Sequence, residues 1–245
     1  MPLKLHVLST NDPDDLALIP TMAQIHAAAW LTNDLYKAIY HGPPSSHAGI
    51  VEANRQRHLK SITSNPSAHF AVVLDDAIAG STSDQVIAWI KYDIFESAQA
   101  EKERKDTSER KWPPYTNMTL VDHFWTMITA SRKRLGAALG PHLNVDLVAT
   151  SPDHHRRGAG RMLMDHVTRE ADRLGLPATL EGSPDGFKLY SAVGFEAIDE
   201  VWVDLLRFEN GVDKGEDWSS RRDRTAPGWY KQVVMVRQAR KPDSK

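Results

Sequence analysis

The stretch from His142 to Tyr190 constrains the fold of this chain more than any other. An apolar run, HLNVDLVAT, ends at a proline and is followed by a basic turn, HHRRGAG. Apolar residues then recur at helical spacing over Met162–Leu174, which predicts an amphipathic helix. The order is strand, phosphate-sized turn, helix, strand and helix. This order favours an α/β fold in which the rest of the chain holds the unit and closes a pocket over it.

The bulk composition removes several classes of function. Thirty basic and 32 acidic residues leave a formal net charge of −2 over 245 residues, which argues against a nucleic-acid partner. The chain has no cysteine, so disulfides, zinc–thiolate sites and a cysteine nucleophile are excluded. It lacks an apolar run of about 18 residues, and its first residues lack the apolar core of a signal peptide. We therefore expect a cytoplasmic protein with no membrane partner.

The remaining sequence alternates strand-like and helical patterns, which we interpret as one domain over 1–245. Strands are expected at Leu3–Ser9, His69–Asp75, Val86–Phe95, within Glu196–Arg207 and at Tyr230–Gln238. Helices are expected at Leu16–Trp30, Thr32–Tyr40, Gly49–Ser64 and Thr119–Leu139. The core unit at 142–206 would be flanked by a helical, charged insertion at about 96–140 and by an excursion and strand at 207–238. Mixed charges at 101–111 are typical of a solvated helix or a mobile loop.

The basic turn has the features of an anion-binding loop. Gly158 and Gly160 precede a helix, whose N-terminus exposes unpaired backbone N–H groups and carries partial positive charge. Three arginines add to that charge, and the combination suits a pyrophosphate. An ordinary basic turn between a strand and a helix is the alternative. The turn is not a P-loop, which needs Gly-Lys-Ser/Thr, nor a dinucleotide fingerprint, because Leu163 occupies the position of the third glycine.

Two signatures in this region together resemble the GCN5-related N-acetyltransferases. The first is the acetyl-CoA motif Gln/Arg-x-x-Gly-x-Gly/Ala, with Gly158 and Gly160 at its small positions and a departure at His155, which replaces Gln or Arg. The segment 148–152, VATSP, precedes it and is similar to the family's Leu-Ala-Val-x-Pro. The second signature, Leu-Tyr-x-x-x-Gly-Phe, is present at 189–195. The resemblance covers roughly 142–206.

The resemblance implies a fold and a cosubstrate. The fold would be a single α/β (mixed α+β) domain with a central mixed, mostly antiparallel sheet and helices on both faces. Its fourth and fifth strands, Leu143–Thr150 and Ala178–Gly182, would splay apart around the pantetheine of acetyl-CoA or another acyl-CoA. No metal is expected. The implied cofactor-binding residues are Val148, Ala149, Thr150, His155, Arg156, Arg157, Gly158, Ala159, Gly160, Arg161 and Ser183.

The fourth strand carries the candidate base. Direct attack on a thioester needs a neutral amine, whose conjugate acid has a pKa of about 10, so a base must take a proton. Alternation predicts two faces, one with His142, Asn144, Asp146 and Val148 and the other with Leu143, Val145 and Leu147. Asp146 is the only carboxylate on the polar face and is our first candidate, with His142 as the alternative. Asp146 could instead be satisfied by backbone or an arginine, or bind the substrate ammonium without taking its proton.

The general acid is implied by the resemblance alone. Tyr190 lies four residues before Gly194, which is the position of the acid in the family. Its hydroxyl could donate a proton to the departing sulfur. A core tyrosine that packs on the helix is the alternative.

The predicted function is acetyl-CoA-dependent N-acetylation of a small-molecule amine by direct attack in a ternary complex. Alternatives are a peptide or protein N-acetyltransferase and a non-catalytic acyl-CoA-binding domain. A homodimer is possible, since sheet edges of this fold often pair. Aromatic residues can line a pocket for an apolar or aromatic amine. The expected acceptor-binding residues are Trp30, Tyr36, Tyr40, Trp89, His142 and Asn144.

Overall fold

The computed structural model of the chain describes residues 3–97 and 111–240. The predicted charged segment at 101–111 lies outside these residues, apart from Lys111. The strands are β1 (Leu3–Val7), β2 (Ala68–Asp75), β3 (Val86–Phe95), β4 (His142–Thr150), β5 (Ala178–Gly182), β6 (Glu196–Asp204) and β7 (Trp229–Arg237). The α-helices of the described residues are α1 (Pro13–Leu16), α2 (Ile19–Trp30), α3 (Asp34–Ile39), α4 (His47–Ser64), α5 (Thr82–Gln85), α6 (Met118–Leu139), α7 (Ala159–Leu174), α8 (Phe187–Ala192) and α9 (Glu216–Ser220). Short 3-10 segments lie at Pro44–Ser46, Pro152–His154 and Leu205–Gly211.

The strands form one seven-stranded sheet in the order β1-β2-β3-β4-β5-β7-β6. Neighbouring strands are antiparallel except β4 and β5, which are parallel. Helix α7 packs on one face through Leu163 and Val167, while α2 packs on the other through Ile19 and Met22. The predicted mixed, mostly antiparallel sheet with helices on both faces is therefore confirmed.

The parallel pairing of β4 with β5 is short, which produces the predicted splay. It runs from Leu143 opposite Ala178 to Val145 opposite Leu180 and then stops. Beyond this point β4 continues to pair only with β3, while β5 continues to pair with β7. The two strands therefore separate into a fork, and the next residue on β4 is Asp146.

A β-bulge at Asp146 changes the faces of β4. Lys91 pairs with Leu147 and the next residue of β3 pairs with Val145, so Asp146 is the extra residue. Val145 and Val148 consequently pack against the same core cluster, whereas Leu147 belongs to the cluster on the other face. The expectation that Val148 shares the face of Asp146, and Leu147 that of Val145, is wrong, because the bulge interrupts the alternation.

Helix α7 starts directly after the basic turn and is delimited by two left-handed glycines. Gly158 precedes it at φ 89° and Gly175 follows it at φ 68°, conformations that glycine adopts without steric cost. Its apolar face is buried against the sheet beside β4. The helix N-terminus is thereby held next to the end of β4, where the strands have separated.

Candidate active site

A cavity of about 930 Å³ lies at the fork between β4 and β5. Val145 and Leu180, the last paired residues of the two strands, both line it. The basic turn before α7 forms one side of the cavity, and residues of α2, α3, α6 and β7 form another. One continuous space therefore joins the anion-binding turn to the helical layer.

The basic turn presents most of its predicted residues to this cavity. The cavity-lining residues of the segment are His154, His155, Arg156, Gly158, Ala159, Gly160 and Arg161. Arg156 at φ 60° and Gly158 at φ 89° both lie in the left-handed region, which curls the chain ahead of the helix. Nε2 of His155 donates to the carbonyl of Thr150 at 3.2 Å and ties the turn to β4. A cationic turn at the exposed N–H groups of a long helix is suited to a phosphate.

Arg157 is the exception in this turn, because its side chain points away from the cavity. Its guanidinium lies 2.6 Å from Asp75 at the end of β2 and 3.0 Å from Nδ1 of His154. The side chain of Arg157 therefore contacts protein groups, and its expected role in binding the cofactor, through the backbone amide, stays a prediction.

Tyr190 lies on α8 and lines the cavity, as do Ser183 and Gly186. A Cβ on Gly186 would stand 2.8 Å from the Tyr190 hydroxyl, so glycine at that position leaves room for the ring. Burial raises the pKa of Tyr190 to about 12. The hydroxyl is therefore protonated at neutral pH and is able to donate a proton.

Asp146 lies at the fork, where two cations hold it. Its Oδ2 accepts from Nζ of Lys91 at 2.8 Å and its Oδ1 accepts from Arg132 of α6 at 3.0 Å. Arg132 also donates to both carboxylate oxygens of Glu181, at 2.6 to 3.0 Å. Burial opposes the charge of Arg132, but Glu181 and Asp146 raise the pKa of its guanidinium above the usual value. Arg132 therefore bridges the two strands just beyond their last pair.

Aromatic rings surround the side of the cavity next to α2, α3 and α6. The cavity-lining rings are Trp30, Tyr36, Phe124, Trp125 and Tyr230. Trp30 and Tyr36 meet edge to face with centroids 4.2 Å apart, and Asn33 donates to the Tyr230 hydroxyl at 3.3 Å. Burial raises the pKa of Tyr230 to about 12 and that of Tyr36 well above its usual value. These phenols are therefore neutral, and the wall is predominantly apolar.

Four residues expected to bind the acceptor lie away from the cavity, which corrects that expectation. Trp89 has no exposed surface and packs against Phe70 and two buried histidines on the α2 side of the sheet. His142 and Asn144 precede the fork and are 4% and 3% exposed. His142 pairs with β3, and Asn144 pairs with both β3 and β5. Tyr40 is buried at the end of α3, in a β-bridge with Thr116.

The structure adds cavity residues that sequence reasoning does not identify. Arg132 is followed by two further basic residues of α6, a pattern that is typical of a solvent-exposed helix face. Gln232 lies in the last predicted strand, for which the sequence indicated no role in the site. Glu181 had one available signal, as the only carboxylate of the predicted fifth strand. These three residues lie on elements that are distant in the chain, so the sequence alone does not indicate that they line the same cavity.

The described part of the chain contains no group of three or more His, Asp or Glu side chains arranged to hold a metal ion. None of the helices in residues 3–97 and 111–240 is both long and apolar enough to cross a membrane.

Solved acetyltransferase structures share the fold over nearly their whole length. Arylalkylamine N-acetyltransferase 2 from Aedes aegypti superposes with a TM-score of 0.63 at 10% identity, covering 98% of this chain and 100% of that one. A Drosophila melanogaster polyamine N-acetyltransferase that forms N-acetylagmatine superposes with a TM-score of 0.55 at 14% identity, covering 97% and 100%. The PaiA N-acetyltransferase from Thermoplasma acidophilum, in complex with coenzyme A, superposes with a TM-score of 0.51 at 13% identity, covering 97% and 99%.

The sequence itself places the chain in a family. No curated protein matches it significantly. The profile of the Acetyltransferase (GNAT) family matches residues 33–195, which include the fork, the basic turn and Tyr190. At this length of match, the chain belongs to the GNAT family of acetyltransferases.

Proposed function

We propose that this enzyme transfers an acetyl group from acetyl-CoA to the primary amine of a small molecule with an apolar or aromatic body. The transfer would occur by direct attack in a ternary complex. One observation carries the proposal: a single cavity is lined by the cationic turn before α7, by a group of aromatic rings and by Tyr190.

The cosubstrate fits the residues of the turn and the fork. Arg156 and Arg161 line the cavity beside the N-terminus of α7, where backbone N–H groups and positive charge suit a pyrophosphate. Val148, Ala149 and Thr150 lie beyond the last β4–β5 pair, so their backbone groups on that side are available to a pantetheine amide. When bound, acetyl-CoA supplies the acetyl thioester. Ser183, which follows β5, offers a hydroxyl on the opposite side of the fork.

Tyr190 is proposed as the general acid. The leaving group is a thiolate, whose pKa in the ordinary thiol is about 8.5. A buried hydroxyl that stays protonated can hydrogen-bond the sulfur and stabilise the negative charge as the bond to the acetyl carbon breaks.

Asp146 is proposed to attract the acceptor ammonium without taking its proton. Both of its oxygens accept hydrogen bonds from cations, and an opposite charge nearby stabilises the carboxylate form over the protonated one. The proton of the amine would then leave through water to the solvent. This is one of the two alternatives to a base that the sequence leaves open for Asp146. The other, a carboxylate satisfied by an arginine, matches the contact with Arg132. The two cation contacts support either alternative over a base.

Gln232 is proposed as a hydrogen-bond acceptor for the substrate amine. Its Oε1 is buried, has no donor among the described residues, and belongs to a side chain that lines the cavity. An unmade bond of this kind costs about 1–3 kcal/mol, which an N–H of the acceptor would recover. The aromatic rings nearby would cover the apolar body of the same molecule and can also attract its cationic form.

A panel of acceptors tests the proposal by measuring thiol release from acetyl-CoA. The panel contains phenethylamine, tryptamine, cyclohexylmethylamine, spermidine and a peptide with a free N-terminus. We expect turnover to be fastest with the first three, because the chamber is aromatic and bounded. The arylalkylamine and polyamine activities named for the insect structures bracket this choice. Preferred turnover of the peptide, or CoA binding with no turnover of any amine, would contradict the proposal.

A further inference from the structure

Two consecutive arginines of the basic turn point in opposite directions. Arg156 lines the cavity, whereas Arg157 reaches back to Asp75, the last residue of β2. The Asp75 side chain is 2% exposed, and its Oδ1 also accepts the backbone N–H of Ala77 at 3.1 Å. The turn is thereby attached to a rigid strand of the sheet through an ion pair of which one member is buried.

The same guanidinium determines the tautomer of His154. NH1 of Arg157 lies 3.0 Å from Nδ1 of His154. A guanidinium only donates hydrogen bonds, so Nδ1 must accept and the ring proton of a neutral His154 is on Nε2. His154 lines the cavity beside Arg156. The imidazole of His154 can therefore donate a hydrogen bond only through its Nε2–H.

We propose that Asp75 and Arg157 are positioning residues of the phosphate site and that His154, oriented by them, donates from Nε2 to a phosphate oxygen of the cosubstrate. This inference rests on the proposed function, since it assigns residues to the binding of acetyl-CoA. It extends the cofactor site beyond the glycine turn, to a carboxylate about 80 residues earlier in the chain that has no contact with the cavity.

The ion pair is suited to positioning because Arg157 uses both terminal nitrogens of its planar guanidinium. One nitrogen binds the buried carboxylate and the other binds the imidazole, which fixes a direction that a single point charge would not. The segment from Ser151 to Gly158 contains a short 3-10 turn and a residue at φ 60°, so regular helix bonds do not hold it. Without Arg157, His154 would lose both its orientation and its tautomer preference.

The experiment compares two acetyl donors, of which only one carries phosphates. Binding of CoA is measured by calorimetry, and turnover is measured with acetyl-CoA and with S-acetylpantetheine, which lacks the nucleotide. Asp75→Asn and Arg157→Gln should each weaken CoA binding about tenfold, as expected for loss of a charge-assisted orientation. The kcat/KM for S-acetylpantetheine should not change. Asp76→Asn is the matched control, because Asp76 is the neighbouring carboxylate and pairs with exposed Lys4.

His154→Ala should weaken CoA binding by a similar factor and remove the effect of Arg157→Gln in the double variant. Dephospho-CoA identifies the phosphate concerned. If His154→Ala weakens the binding of both CoA and dephospho-CoA, the contact is to the pyrophosphate. If it weakens the binding of CoA alone, the contact is to the 3′-phosphate. Either result supports the donor role.

Several outcomes overturn the inference and leave the proposed function standing. Unchanged CoA affinity in Asp75→Asn and Arg157→Gln would exclude positioning. A parallel loss with S-acetylpantetheine would indicate a general structural role. Arg157→Gln, whose wild-type side chain is 38% exposed, provides a folded variant should Asp75→Asn unfold. Absence of CoA binding in the wild-type protein would instead contradict the proposed function itself.

Discussion

The two ends of the cavity are built in different ways. The proposed phosphate end consists mainly of seven of the eight consecutive residues 154–161, which follow one strand and open one helix. The aromatic end takes Trp30 from α2, Tyr36 from α3, Arg132 from α6, Glu181 from β5 and Gln232 from β7. A local segment preserves its geometry through backbone conformation, whereas a dispersed set depends on how the elements pack. The first is therefore suited to a constant ligand and the second to a variable acceptor.

The largest effect is expected where the phosphate end is most sensitive. Gly158→Asp forces a side chain into φ 89° and puts an anion beside the proposed pyrophosphate site. Coulomb repulsion near a protein surface is of order 4 kcal/mol at 4 Å, so CoA binding should weaken several hundredfold or more. Calorimetry measures it. Gly175→Asp is the matched control, since Gly175 has φ 68° at the other end of the same helix and should leave CoA affinity intact. An equal loss of CoA affinity in the two variants would contradict the assignment of the pyrophosphate to the turn at Gly158.

Arg132→Met tests whether the fork depends on dispersed packing. The change leaves Asp146 and Glu181 close to each other without their shared guanidinium, and breaking a largely buried pair of this kind costs about 3 kcal/mol. Denaturant unfolding should report this loss, with a fall in activity. Arg134→Met, which removes an exposed partner of Asp199, should cost at most about 1 kcal/mol. A stable, active Arg132→Met variant would mean that the strands separate without the bridge.

Tyr190→Phe tests the proposed general acid in the same cavity. Removal of the proposed general acid should lower kcat about 100-fold and leave CoA affinity unchanged. Burial raises the pKa of Tyr190 to about 12, so the wild-type enzyme should show no loss of activity from its ionisation between pH 6 and about 10. Steady-state rates over that pH range measure both effects. An unchanged kcat in Tyr190→Phe would contradict the role as general acid, whereas a fall in rate near pH 9 in the wild type that is absent from the variant would contradict only the raised pKa.

Gln232→Leu addresses acceptor recognition and should have a smaller effect. Loss of one hydrogen bond to the amine should raise the KM for phenethylamine about tenfold, with the KM for acetyl-CoA unchanged. Val233→Leu, at the next residue on the buried opposite face of β7, is the control for strand perturbation. A rise in the KM for both phenethylamine and acetyl-CoA would indicate that Gln232 supports the structure of the sheet and does not bind the acceptor.

The smallest expected effect is on the pH profile of Asp146→Asn. If the proton leaves through water, kcat/KM should rise about tenfold per pH unit towards the amine pKa of about 10, in variant and wild type alike. The asparagine keeps an oxygen for one cation, so part of the fork remains. Loss of the slope in the variant, together with a large drop in rate, would restore Asp146 as the base.

Strand patterning predicted β4 and β5 correctly in outline but not the position of the bulge. The residues HLNVDLVAT alternate polar and apolar up to Asp146, and nothing in the composition marks that residue as the extra one. The bulge arises from the register with β3, which is a long-range pairing. Because it reverses the faces beyond Asp146, it decides which backbone and side-chain groups of β4 meet the cavity. The same limitation placed Trp89 in the predicted acceptor site, because alternation does not say which face of β3 is covered by helices α2 and α4.

By itself the sequence determined the strand–turn–helix unit, the glycine turn with Gly158 and Gly160 before the helix, and the signature that contains Tyr190. Each depends on residues within one turn or one helix of each other, where backbone conformation and spacing are decided locally. Only the tertiary structure decided that Arg132 bridges the fork, that Arg157 turns away to Asp75, and that five aromatic rings from distant segments share one chamber. Those contacts join residues tens of positions apart. The free energy that brings them together comes from burying apolar surface over the whole sheet and its helices, so no single stretch of sequence determines them.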